Sequence, residues 1–242
     1  MLTLFKKELS EFFSTLTGYI VIIIFTVLNG LFLFVFPGGY NLLDNHLANL
    51  DSLFFMAPWI FLFLIPAVTM RLFADEKKSG TIELLFSRPI SRMNIIFAKY
   101  LASVSIVLLS LLPTLIYFAS ITVLSSQGSY PDNGAIWGSY IGLFLLASVY
   151  AAVGIFSSSL TQNQVVAFLL AVILSFLLYI GPDTVSGFDL WGNHGNLIKL
   201  AGIDSHYKSI SRGVLDSKDL IYFLTASFIF LLSTEYVLNK KK

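Results

Sequence analysis

Cysteine is absent from this sequence, only three histidines occur, and charged residues make up just 12%. Without cysteine there is no disulfide framework, no thiolate nucleophile and no cysteine metal site. Ordinary soluble domains are about 25% charged. A chain this poor in charge cannot cover a water-facing surface, which excludes a soluble globular enzyme. An excess of one sign is lacking too. The net charge is +1, and no basic patch is dense enough for nucleic acid. Nor are the familiar catalytic patterns present. There is no H-E-x-x-H, no G-x-S-x-G elbow and no G-x-x-x-x-G-K-[ST] phosphate loop. The last absence means that any nucleotide energy must be held by another chain. His46, His194 and His206 stand far apart and read as solvated loop residues rather than metal ligands.

What is present is apolar. The 242 residues are 56% hydrophobic and include 23 Phe, 11 Tyr and 3 Trp. Disordered chains are poor in aromatics, so disorder is excluded with solubility. The composition is that of a multi-pass membrane protein. A spanning helix needs about 20 mostly apolar residues, and six uncharged stretches qualify: 19–36, 53–70, 101–124, 136–157, 165–180 and 220–238. Pro113 predicts a kink in the third, and Gly181-Pro182 is expected to end the fifth. The fold class expected is an all-α membrane protein, one transmembrane domain over 1–242. The first apolar run has full span length and no small-residue cleavage site after it, so we expect it to remain as a span.

Lys and Arg set the expected orientation. Lys6, Lys7, the 71–99 loop (Arg71, Lys77, Lys78, Arg88, Arg92, Lys99) and Lys240 to Lys242 fall on one side. Lys199, Lys208, Arg212 and Lys218 fall on the other, in one long loop. Both termini are therefore expected in the cytoplasm. Residues 2–16 place Leu2, Phe5, Leu9, Phe12, Phe13 and Leu16 at helical spacing, with Lys6, Lys7, Glu8, Ser10 and Glu11 on the other face. This predicts an amphipathic helix lying in the cytoplasmic interface. The outer loop 181–219 is too short to fold alone and must lean on the spans or a partner. Its middle, 197–203, is amphipathic enough to dip into the outer interface.

The spans hold no ionisable residue except Glu235 near an edge, which counts against a proton-coupled carrier or a charged selectivity ring. Asn29, the most notable polar residue at depth, predicts a helix-helix hydrogen bond rather than a substrate contact. Gly134, Gly138 and Gly142, four apart, form a small-residue face that suits close packing within the subunit or an interface between subunits.

The 71–99 loop carries the functional signal. A charged cluster extends the second span, and Ser79-Gly80 breaks it. A short helix can start near Thr81, with Glu83 in its first turn, where the positive end of the helix dipole favours a carboxylate. Pro89 ends it and Ser91 can cap the next helix. The short helix has an apolar side of Ile82, Leu84, Leu85 and Phe86 that something must cover.

At these residues the chain resembles the permeases of ABC-2-type transporters, whose signature is close to E-x-x-x-G-T-x-E-x-L-L-x-x-P-x-S-R-x-x-I. It matches at Glu76, Gly80, Thr81, Glu83, Leu85, Pro89, Ser91, Arg92 and Ile95, with Leu84 alongside. Asp75 stands where many members have a second Glu, and Phe86 replaces a smaller residue. The resemblance implies that residues 79–88 form a coupling helix seated in a groove of a separate ABC ATP-binding subunit, with Glu76, Ser79, Ile82 and Arg92 in the same segment. It implies that ATP and magnesium bind the partner and that this chain binds no cofactor itself. It also implies a second permease copy or homologous permease, an interfacial elbow helix at 2–16, outer re-entrant helices, contact with membrane lipid, and the bacterial inner membrane. The overall run of sequence looks closest to the gliding-motility-associated permease subunits of Bacteroidota. That likeness implies an auxiliary subunit with a large periplasmic part. A membrane scaffold that transports nothing stays open as the alternative.

Overall fold

The computed structural model describes residues 1–45, 49–87, 89–125, 131–187, 198–214 and 216–240. All regular structure among them is helical. Two short helices and two long ones open the chain: α1 (Leu2–Ser14), α2 (Leu16–Phe34), α3 (Leu42–Asn45) and α4 (Asp51–Thr69). Next come α5 (Arg71–Lys78), α6 (Thr81–Phe86), α7 (Arg92–Leu111) and, after a 3-10 turn at Leu112–Thr114, α8 (Leu115–Leu124). The chain ends with α9 (Asn133–Leu160), α10 (Gln164–Ser186), α11 (Ile203–Ile210) and α12 (Ser217–Lys240). Six helical stretches among the described residues are long and apolar enough to cross a membrane: Leu16–Phe34, Asp51–Lys78, Arg92–Val123, Asn133–Leu160, Gln164–Ser186 and Ser217–Lys240.

The centre of the bundle is α9, which packs against α4, α7, α10 and α12. Small residues make that position possible. Gly138 and Gly142 lie under α11, where an added Cβ would sit 2.9 Å from the Ile210 carbonyl oxygen and 3.1 Å from Ile210 Cγ2. The near partner of both is thus a helix of the same chain, whereas Gly134 faces only its cap residue Asp132. Gly154 is tighter. A Cβ there would lie 2.0 Å from Thr69 Oγ1 and 2.9 Å from Thr69 Cβ. Gly154→Ala is therefore expected to cost about 1–3 kcal/mol through overpacking. Thermal unfolding in detergent checks this, and adding Thr69→Ala should restore part of the loss. A wild-type midpoint for Gly154→Ala alone contradicts the packing described.

Helix ends follow local chemistry. Asp132 accepts from the N–H groups of Gly134 and Ala135 at 2.9 and 3.1 Å, and Asn163 accepts from Val165 at 2.9 Å. Pro113 has no N–H to donate, and the helix tightens there into the 3-10 turn. The Tyr140 hydroxyl of α9 donates to the Thr114 carbonyl at this turn (3.1 Å).

Several sequence expectations are corrected. The fifth span does not end at Gly181-Pro182; α10 runs on to Ser186. Pro182 removes one ladder bond, that to the Leu178 carbonyl, and the helix continues past it; Thr184 Oγ1 donates to the carbonyls of Ile180 and Gly181 in its last turn. Asn29 makes no helix-helix bond among the described residues. Its Nδ2 donates to the Phe25 carbonyl of its own helix at 2.8 Å, and its Oδ1 is buried without a partner. His206 is not a solvated loop residue. It is half-buried beside Tyr222, with Nδ1 2.6 Å from Asp219 Oδ1 and Nε2 2.8 Å from the Leu200 carbonyl oxygen. His46, His194 and Leu197 lie outside the described residues. Ile203, expected at the outer interface, is instead buried in the core. Glu8, expected on the polar face of α1, is buried as well, because that helix packs on α7 through a face that includes it.

Candidate functional site

The segments that carry the first side's Lys and Arg meet at one end of the bundle. Arg71 Nη2 donates to Thr15 Oγ1 (3.2 Å), and Arg92 Nη1 donates to the Leu238 carbonyl (3.2 Å) and to Asn239 Oδ1. The N-terminal helix, the 71–92 segment and the end of α12 thereby form one surface.

The backbone of that surface is α5, which is fixed on every side. Its start follows a break at Met70. Ser158 Oγ of α9 fills the break: it accepts from the N–H groups of Phe73 and Ala74 (3.0 and 3.1 Å) and donates to the Met70 carbonyl (2.8 Å). One hydroxyl therefore bonds three backbone groups, two of them buried. Ser158→Ala is expected to cost about 1–3 kcal/mol, because it removes all three bonds; a shift in the unfolding midpoint measures it. Further along α5, Gln164 Nε2 donates to Asp75 Oδ1 and Lys77 Nζ donates to the Ser159 carbonyl. Glu76 Oε1 pairs with Lys99 Nζ of α7 at 2.7 Å. The same ammonium lies 3.0 Å from Glu8 Oε1 of α1. Lys99 is 1% exposed and Glu8 4%, so a single buried cation joins α1, α5 and α7. It also sits 5.3 Å above the Phe73 ring.

Sequence reasoning counted Lys99 only among the basic residues of the 71–99 loop that set the orientation, and did not find this triad. A signal was there. Lys99 falls on the same helical stripe as Ile95, Ile96, Ala102, Ser103 and Ile106, all buried. Glu8 likewise stands four residues before buried Phe12.

From α5 the chain turns at Ser79-Gly80. Ser79 Oγ donates to the Asp75 carbonyl (2.8 Å) and lies 2.8 Å from Thr81 Oγ1. Gly80 has φ +72, a left-handed conformation that glycine adopts without steric cost. Helix α6 then covers only Thr81–Phe86, shorter than the expected 79–88. Glu83 is in its first turn, as the sequence suggested. The apolar side divides. Ile82, Leu85 and Phe86 pack on the chain's own bundle, and Leu84 is left 69% exposed. Thr81, Glu83 and Pro89 are exposed as well, and Arg88 lies outside the described residues. Ser91 Oγ accepts from the Asn94 N–H (3.3 Å) and caps α7. Arg92 stacks 4.9 Å over the Phe86 ring and so closes the segment onto α12. A cavity of about 400 Å³ separates α6 from α1, with Lys7, Arg71, Thr81 and Leu84 in its wall.

The arrangement is a small exposed helix, α6, next to a helix, α5, that is bonded to α7, α9 and α10. Comparison with protein families matches residues 2–233 to the model described as ABC-2 family transporter protein. The chain belongs to that family. A comparison with curated proteins finds no match. As an ABC-2 family member with six apolar helices it is a multi-pass membrane protein, and the family supplies the permease subunit of an ABC transporter. The family implies an ATP-binding partner subunit and the possibility of a permease dimer.

Proposed function

We propose that this ABC-2 permease takes up force from a separate ATP-binding subunit through α6 and passes it to the spans through α5. The observation that carries this is the contrast between the two helices. α6 exposes Thr81, Glu83 and Leu84 to a partner, while α5 is tied to α1, α7, α9 and α10 by Glu76, Ser158 and Asp75. A push on α6 therefore moves the bundle rather than a loop. ATP and magnesium belong to the partner in this reading, and the chain binds no cofactor itself.

Two copies, or this chain with a homologous permease, would pair around a path across the bacterial inner membrane, with both termini in the cytoplasm. The poorly buried helices α2, α10 and α12 supply apolar surface for lipid or a second copy. The work of the complex is export, extraction or force transmission. The likeness to gliding-motility-associated permeases supports a role in gliding, with an auxiliary subunit bearing a periplasmic part. The test is purification of the tagged chain from its own membranes in mild detergent. We expect an ABC ATP-binding subunit at stoichiometric amount, identified by mass spectrometry. Recovery of the chain without any such subunit overturns the reading.

A further inference from the structure

A second cavity, of about 380 Å³, opens at the opposite end of the bundle from α6. It is formed where α4 begins, where α10 leaves the apolar zone, and along α11. Its wall is aromatic: Trp59 and Tyr179 meet edge to face at 5.8 Å, and Tyr207 is held in place by donating to the Phe54 carbonyl at 2.7 Å. Its charge is mainly negative. Among the described residues, Asp51, Asp183 and Asp204 line it with Lys208, and Lys199 pairs with Asp183 from outside at 3.3 Å, which leaves one carboxylate in excess. Asp204 is buried to 8% exposure at the aromatic wall, with the Tyr179 hydroxyl against its carboxylate. Lys208 pairs with Asp204 at 2.6 Å, yet its own side chain is 63% exposed, at the mouth.

Each feature narrows the occupant. Excess carboxylate disfavours a simple anion. Among the described residues no group of three acidic, His or Cys side chains converges closely enough for a metal ion. Aromatic faces beside carboxylates suit an organic ammonium, by cation–π attraction and charge-assisted hydrogen bonds. The lysine at the mouth suits a phosphate one short linker away. Exposed Phe55 beside the cavity suits the apolar part of a lipid. We propose that this cavity binds the headgroup of a phosphatidylethanolamine-type phospholipid, its primary ammonium between Asp204, Asp51 and the aromatic wall and its phosphate on Lys208. This goes beyond force coupling and does not depend on an ATPase partner.

The test uses the purified full chain in detergent, with lipid adducts read by native mass spectrometry and the unfolding midpoint read in parallel. The probes are phosphatidylethanolamine, phosphatidylglycerol and phosphatidylcholine at equal mole fraction, free phosphoethanolamine, and a lysine-rich peptide. We expect phosphatidylethanolamine to bind roughly tenfold tighter than phosphatidylglycerol and to raise the midpoint. Phosphatidylcholine should bind more weakly because its head cannot donate to the carboxylates, and free phosphoethanolamine should compete at higher concentration. Asp204→Asn should remove the preference. Asp51→Asn, at the exposed rim, should weaken it without disturbing the fold. Equal binding of phosphatidylglycerol, a preference retained in both variants, or stabilisation by the peptide alone overturns the assignment.

Discussion

Lys99→Met destabilises the protein by about 3–5 kcal/mol, the scale of breaking a buried ion pair by removing one partner. The methionine fills the space of the lysine stem, so the loss is electrostatic and not a cavity. Without the ammonium, Glu76 at 18% exposure loses its ion-pair partner, and Glu8 at 4% keeps only the exposed Lys7, 3.5 Å away. Among the described residues Glu76 Oε2 has no hydrogen-bond partner in the intact triad, which makes Lys99 the main compensation for that group. The triple variant Lys99→Met, Glu8→Gln, Glu76→Gln should recover most of the loss, because no net charge is then buried. Unfolding midpoints in detergent at neutral pH read both effects. A single variant as stable as wild type at neutral pH, or a triple variant worse than the single, contradicts the triad's role.

Gly80→Pro abolishes partner-coupled ATP hydrolysis while leaving the bundle folded. Proline holds φ near −65°, and Gly80 sits at +72. The substitution cannot be accommodated without redirecting α6. The damage stays local, since a Cβ at Gly80 meets nothing within 4 Å. Gly80→Ala separates conformation from sterics: it costs about 1–2 kcal/mol of backbone strain in an otherwise open place and should reduce coupling only partly. Glu83→Ala should also lower coupling, by removing a carboxylate from the first turn of an exposed helix. The readout is ATP hydrolysis by the reconstituted complex, with membrane insertion and unfolding midpoint as controls. We expect a loss of at least tenfold for Gly80→Pro with an unchanged midpoint. Wild-type hydrolysis in that variant contradicts force transfer through α6.

Much of the architecture was legible from the residues. Charge-free length marks the spans, and Ser79-Gly80, Pro113 and Ser91 each produce the local break or cap that their chemistry dictates. What escaped is of another kind. The triad joins residues 91 and 23 positions apart, and Lys99 was read by its charge rather than by its place on an apolar stripe. Ser158 gives no sequence signal as the filler of the Met70 break, since serine at a helix end is ordinary. The α10 terminus was misplaced because proline was taken as a stop, although a proline inside a helix removes only one ladder bond and the helix runs on to Ser186. Leu84 could not be told from Ile82 and Leu85 by spacing alone; only the packing of α6 against its own bundle shows which of the three is left for a partner.

That residue gives the most direct test of force transfer. A photo-crosslinking amino acid at Leu84 of the tagged chain, activated in native membranes, should yield an adduct with an ABC ATP-binding subunit. The same probe at Val123, which is also exposed but at the other end of the bundle, should yield none. No adduct from position 84, or the same adduct from both positions, contradicts the docking of the ATP-binding subunit on α6.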